Sequence, residues 1–391
     1  MKRVVVRLKE GRGYPIEIGG GGLTRLGEVA RASLAPEARR VALVSNRRVF
    51  GLYGSRAAAS LRVAGFNVSH WLMRDGERFK TLRTAESCLR FLSEMKLERS
   101  DAVVALGGGV VGDLAGLAAA LYMRGVAFVQ APTTLLAQID SSVGGKTGVN
   151  TREGKNLIGA FHQPRAVMVD TDTLRTLPAR ELTAGWCEAI KQGAVGDRRL
   201  FERTRKFLAD DARRKGAGGG EGRRVEKWDD GRDEKLARII AAQCAFKAKV
   251  VAGDEREDVN RADARSRRVL NFGHTIGHAL EALTNFRRFR HGEAVGYGML
   301  AAGEISKRLG LLDESELESL RGAVRLAGTL PSASDLDAET VRGALRLDKK
   351  AVGGSVHWIL LERIGRARVV DGREVSARVV KAAIRAALAA R

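Results

Sequence analysis

The sequence predicts two parts: an α/β domain built on a mainly parallel sheet, then an all-α domain. Three observations predict it. Short apolar runs alternate with helix-period stretches up to about residue 177. A glycine cluster, Gly107-Gly108-Gly109, stands between an apolar run and an apolar helical stretch. Beyond Leu177-Pro178, apolar residues recur at three- and four-residue spacing.

The chain opens with Met1-Lys2-Arg3-Val4-Val5-Val6-Arg7, which turns charged too early for a secretory core and reads as a first strand. Val41–Val44, Asp101–Leu106, Ala127–Gln130 and Ala166–Val169 are short and apolar, as strands buried on both faces are. Between them, Leu82–Leu97 has helical spacing, and a helix over Leu114–Tyr122 follows the glycine loop. The strand, glycine turn, helix order is that of a dinucleotide fold, although G-x-G-x-x-G is not matched. The later half reads as helices over Leu182–Ala194, Leu236–Val251, Thr275–Leu283, Gly292–Leu309 and the end of the chain. Residues 215–232, with Gly218-Gly219-Gly220 among mixed charges, read as an exposed flexible insert. The expected domains are therefore residues 1–177 and 178–391.

Composition narrows the function. The 391 residues are 44% hydrophobic, enough for a core in each half, and no run of about 18 apolar residues is present to span a membrane. Cys88, Cys187 and Cys244 lack the spacing of a disulfide framework or zinc cluster, so a cytoplasmic address is expected. The net charge of +22 raises the question of nucleic acid. However, the basic residues are scattered among 46 acidic ones, and with 5% aromatics there is no stacking platform. Positive charge suits a small phosphorylated anion instead.

Three constellations carry chemistry. The glycine loop can hold a pyrophosphate on amides at a helix start, with Asp113 placed to hold a ribose hydroxyl or cap the helix. His274 and His278 stand at i and i+4 on one helical face, His291 opens another helical stretch, and Glu188 lies on a third. Two histidines and a carboxylate would make an open catalytic site for a divalent metal such as zinc; spacing alone nominates His274 with His278. The third group is cationic: Lys146, Lys155, Lys191, Lys247, Arg124 and Arg267. Lys146 and Lys155 stand among Gly, Ser, Thr and Asn, where a long cation can reach inward from a loop.

Together these residues resemble the 3-dehydroquinate synthase family. The resemblance runs through Gly107–Asp113, Tyr122-Met123-Arg124-Gly125, Pro132–Gln138, Asp140–Asn150, Gly154–Gln163, Glu188–Lys191, Leu270–His278, His291–Val295 and the late Asp348-Lys349-Lys350. It implies an NAD-binding α/β domain, a helical metal-binding domain, an active site between them and a homodimer. It implies metal ligation, by zinc with cobalt as the alternative, at Glu188, His274 and His291, and moves His278 to substrate binding. Asp140, Lys146, Lys155, Asn156, Lys191, Lys247, Arg267, Asn271, Lys349 and Lys350 match substrate or catalytic positions, and Arg124 one that reaches the substrate phosphate across the dimer. Glu77, Lys80, Gly108, Gly109, Val110, Asp113, Thr133, Thr134, Thr173 and Thr176 match positions that contact the cofactor, as do Asp140, Lys146 and Lys155, with Asn46 added.

The implied substrate is 3-deoxy-D-arabino-heptulosonate 7-phosphate, whose carboxylate and phosphate call for cations. The implied reaction oxidises carbon 5 with NAD, eliminates phosphate from the acidified neighbour, returns the hydride, and closes the ring by an intramolecular aldol step. Gln192 stands where the family commonly has tyrosine, and Trp186-Cys187 where smaller residues are usual. Three rival readings are a sugar phosphate cyclase acting on sedoheptulose 7-phosphate, an aminodehydroquinate-type synthase, and an NAD- and metal-dependent polyol dehydrogenase that would accumulate NADH.

Overall fold

The computed structural model describes residues 1–9, 13–217, 230–258, 261, 263, 266–348 and 357–389. The chain divides into two compact units, Met1–Leu177 with Trp228–Ala252, and Pro178–Lys227 with Gly253–Arg391.

The first unit is built on a seven-stranded sheet in the order β1-β2-β9-β6-β5-β3-β4. Its strands are β1 (Lys2–Arg7), β2 (Gly13–Gly19), β3 (Arg40–Asn46), β4 (Asn67–Met73), β5 (Ala102–Gly107), β6 (Ala127–Pro132) and β9 (Ala166–Asp170). Only the β1–β2 pair of this sheet is antiparallel. β5 and β9 are buried along their whole length, which is why β5 and the first four residues of β9 are continuous apolar runs.

Alternation along each strand builds two cores. Val41 and Leu43 of β3 and Val104 and Leu106 of β5 pack with α1 (Leu26–Ser33) and α3 (Ser55–Val63). The intervening Ala42, Val44, Val103 and Ala105 pack on the opposite face with α4 (Leu82–Glu94) and α5 (Gly109–Leu121). A short α2 (Arg47–Val49), capped by the Asn46 side chain, leads from β3 towards α3. The small antiparallel pair of β7 (Lys146–Val149) and β8 (Ile158–Phe161) lies against α5.

A boundary at residue 177 would leave α8 (Asp230–Gly253) in the second unit, yet it clusters with the first. Its side chains explain this: Glu234 pairs with Lys2, Asp233 with Arg175, and the Cys244 thiol donates to the Gln138 carbonyl. Of the stretch read as an insert, residues 215–217 end α7 (Arg198–Ala217) and 230–232 begin α8; residues 218–229 lie outside the described residues.

The second unit is helical, with α6 (Ala179–Gly196), α7, α9 (His274–Leu283), α10 (His291–Arg308), α11 (Glu314–Ala327), α12 (Ala338–Asp348) and α13 (Ala377–Ala389). It departs from the all-α expectation in one element, an antiparallel hairpin of β10 (His357–Arg363) and β11 (Arg366–Asp371). Trp358-Ile359-Leu360-Leu361 is a run of four buried residues, which carries no period to separate strand from helix. Among the described residues no helix is long and apolar enough to cross a membrane.

Candidate functional site

In the first unit the candidate residues gather at the carboxyl ends of parallel strands, where open α/β sheets bind ligands. Asn46 ends β3, Gly107 ends β5, Thr133 and Thr134 follow β6, and Thr173 and Thr176 follow β9. The Thr133 amide donates to the Gly107 carbonyl and ties two of these ends together. Gly109 is already the first residue of α5, so the helix begins inside the glycine cluster. Gly108, Gly109 and Val110 are half-buried at that N-terminus, whose partial positive charge favours an anion.

The remaining candidates at these strand ends are engaged within the protein. Asn46 donates to Asp75, the Thr134 hydroxyl accepts from the Ala137 amide, and the Thr173 hydroxyl donates to the Asp170 carbonyl. Thr176 meets the Tyr53 hydroxyl.

Beside α5 lies a polar cluster. Lys80, only 3% exposed, places its ammonium 2.9 Å from Asp113 Oδ2, 2.7 Å from Asn156 Oδ1 and 3.4 Å from Glu77 Oε1. Burial alone would lower the Lys80 pKa, but the Asp113 and Glu77 carboxylates outweigh it and hold it raised. Burial likewise pushes Glu77 up, and the Lys80 and Lys155 cations with the Asn150 amide bring it below the usual range. Asn150 was not a candidate from sequence; it donates to Glu77 and accepts from the Asn156 amide, joining the cofactor and substrate candidates. Nothing local marks it, because its partners are 73 and 6 residues away.

Lys247 of α8 is buried against Asp140, bonding both its carboxylate and its carbonyl. Lys146 opens β7 and is exposed, so it stands on a strand and not in a loop; Lys155 is half-buried. Arg124 is exposed, has a left-handed backbone (φ 65°), and makes no ion pair among the described residues. Lys349 and Lys350 lie outside the described residues.

In the second unit, three helices crowd together because glycine permits it. A Cβ at Gly292 would sit 2.0 Å from the Ala184 carbonyl oxygen, so α10 touches α6 backbone to backbone; one at Gly298 would sit 1.9 Å from the Gly273 carbonyl oxygen, bringing α10 equally close to the start of α9. The fully buried Glu293 holds the first turn of α10, accepting from the Arg290 amide at 2.7 Å and from Arg180.

This crowding joins Glu188 of α6, His274 and His278 of α9 and His291 of α10. One ring nitrogen from each of the three histidines lies within 4.8 Å of the others. The His291 Nε2 is 3.6 Å from Glu188 Oε1. Glu188 is fully buried; the Lys191 ammonium lies against its Oε2 as ion-pair partner, while Oε1 receives no hydrogen bond among the described residues. Burial, followed by the Lys191 cation and the neighbouring rings, pushes the His274 imidazole well below its usual range, leaving a neutral nitrogen donor.

A buried carboxylate with one oxygen left without a hydrogen bond beside imidazole nitrogens fits a divalent metal ion, which takes nitrogen and oxygen donors of this kind. Just before α9, in the turn Arg267–Asn271, Arg267 is 2% exposed and donates to the Glu255 carbonyl, while Asn271 donates to Glu257.

The family model for the 3-dehydroquinate synthase N-terminal region matches residues 70–184, and that for the C-terminal region matches residues 185–351. A 3-dehydroquinate synthase of Pelotomaculum thermopropionicum is 46% identical over 374 residues, 95% of this chain and 94% of that protein. One from Cyanothece is 41% identical over 95% of each. Among solved structures, 2-epi-5-epi-valiolone synthase of Streptomyces hygroscopicus, with NAD+ and Zn2+ bound, superposes with a TM-score of 0.80 at 28% identity, covering 98% of this chain and 99% of that one.

Proposed function

The chain belongs to the 3-dehydroquinate synthase family, and we propose that the residues gathered in each unit perform that family's reaction in the roles that follow. It is an NAD- and metal-dependent lyase acting on a small phosphorylated sugar acid, 3-deoxy-D-arabino-heptulosonate 7-phosphate, which it converts to 3-dehydroquinate and phosphate in the shikimate pathway. The observation that carries the site assignment is the buried Glu188 carboxylate, its Oε1 without a hydrogen bond among the described residues, beside the histidine cluster.

Glu188, His274 and His291 would hold the divalent ion, and His278 would face the substrate. The α5 N-terminus and the Lys80–Asp113 pair would hold the dinucleotide. When bound, NAD takes a hydride from the substrate and returns it within one turnover, while the metal polarises the reacting oxygens. The protein's own part is orientation: Lys146, Lys155, Lys247, Arg267 and Asn271 would fix the carboxylate and phosphate of a flexible substrate, and Asn156 would couple substrate to cofactor through Lys80. Lys191, beside Glu188, would supply a cation where negative charge develops.

A homodimer belongs to the same proposal, with Arg124 reaching the phosphate in the partner protomer. Its support is the exposure of Arg124 together with its neighbours Leu121 and Met123, 51% and 44% exposed. A cytoplasmic setting is proposed from the three free, buried thiols.

The test offers the protein either this substrate or sedoheptulose 7-phosphate and follows phosphate release, with dehydroquinate detected through a coupled dehydratase. Dehydroquinate from the first substrate is expected. Consumption of sedoheptulose 7-phosphate in its place would transfer the protein to the related cyclases.

A further inference from the structure

We infer that Glu281 is the positioning residue for His291, orienting its imidazole and presenting its Nε2 for metal binding; this rests on the metal reading proposed above. Glu281 follows His274 and His278 on α9 at i+7 and i+3, so all three share one helical face. Its carboxylate is 2% exposed, and its Oε2 lies 3.1 Å from His291 Nδ1.

A carboxylate at that distance holds the imidazole proton on Nδ1 and leaves the Nε2 lone pair directed away from it. On that other edge, Nε2 faces Glu188 Oε1 at 3.6 Å, beyond hydrogen-bond length. His291 thus stands between two buried carboxylates, one placed to orient the ring and one placed to share an ion with it.

The chain between the two helices is shaped for this contact. Asn285 and Phe286 both have left-handed backbones (φ 51° and 55°), and the Phe286 amide donates to the Glu281 carbonyl at 2.8 Å. That return closes the end of α9 and leads the chain to Arg290 and the start of α10. His274 has a weaker counterpart: its Nδ1 lies 3.2 Å from the Phe272 carbonyl oxygen, a neutral acceptor. The anionic partner therefore falls to His291, where it also raises the basicity of the ligating nitrogen.

The test measures zinc affinity of the full chain by chelator competition, with near-ultraviolet circular dichroism and NAD titration as controls for folding. Glu281→Ala is expected to weaken zinc binding by about 100-fold, and Glu281→Gln, which keeps an acceptor but loses the charge, by about tenfold. NAD affinity should stay native in both. If zinc affinity stays native in these variants while His291→Ala loses it, Glu281 has only a structural role and the inference is overturned. Glu281→Gln decides alone if the alanine variant does not fold. If His274→Ala and His291→Ala both bind zinc as the native chain does, the metal reading itself falls and takes the inference with it.

Discussion

Replacing His274 with alanine is expected to lower turnover by about a thousandfold, since loss of metal polarisation removes several kcal/mol of barrier lowering and each 1.36 kcal/mol is tenfold in rate. The imidazole is placed for the role by the glycine contacts that draw α6, α9 and α10 together, and burial beside Lys191 keeps it a neutral donor. NAD binding should persist, because the cofactor candidates stand on the strand ends of the other unit. Metal content by atomic emission and NAD affinity by fluorescence titration check both halves of this expectation. Full activity in the variant would remove His274 from the metal set.

Replacing Lys80 with methionine should raise the NAD dissociation constant by about 100-fold, as breaking a buried ion pair costs about 3–5 kcal/mol and most of that would fall on the geometry of the cofactor pocket. Its ammonium holds Asp113, Asn156 and Glu77 in one arrangement, and methionine would leave two carboxylates facing each other without the cation. Lys80→Arg keeps the charge, but a planar guanidinium does not reproduce a point charge shared by three oxygens, so an intermediate loss is expected. Adding Asp113→Asn to the methionine variant should recover part of the loss by removing one uncompensated charge. An NAD affinity within threefold of native in Lys80→Met, measured by titration, would show that the cluster does not organise the cofactor site.

Much of this was legible in the sequence because the relevant signals are local. Val41–Val44 and Ala166–Val169 are short apolar runs that alternate with helix-period stretches, the order a parallel sheet requires, and they lie in β3 and β9. His274 and His278 declared a shared face by their spacing, and the rings do meet, with centroids 5.3 Å apart.

What stayed hidden depends on long-range contact. Lys80 meets Asp113 and Asn156 from 33 and 76 residues away, and no local pattern pairs them. Spacing on one helix could not show that Glu188 and His291 come up to His274 and His278, because that rests on how closely α6 and α10 approach α9. α8 reads as one more helix of the later half until its contacts with Gln138 and Asp140 assign it to the first unit. Glu281 could have been found: its place one turn beyond His278 on the same face was the available signal.

The central claim, that NAD is reduced and then regenerated within each turnover, is tested most directly by supplying NAD below the enzyme concentration with excess 3-deoxy-D-arabino-heptulosonate 7-phosphate and zinc. The account predicts many molecules of dehydroquinate and phosphate for each NAD, with no NADH building up in the absorbance record. Substrate consumption that stops at one molecule per NAD, with an equal amount of NADH and an oxidised ketone in place of dehydroquinate, would contradict it and make the protein a net dehydrogenase.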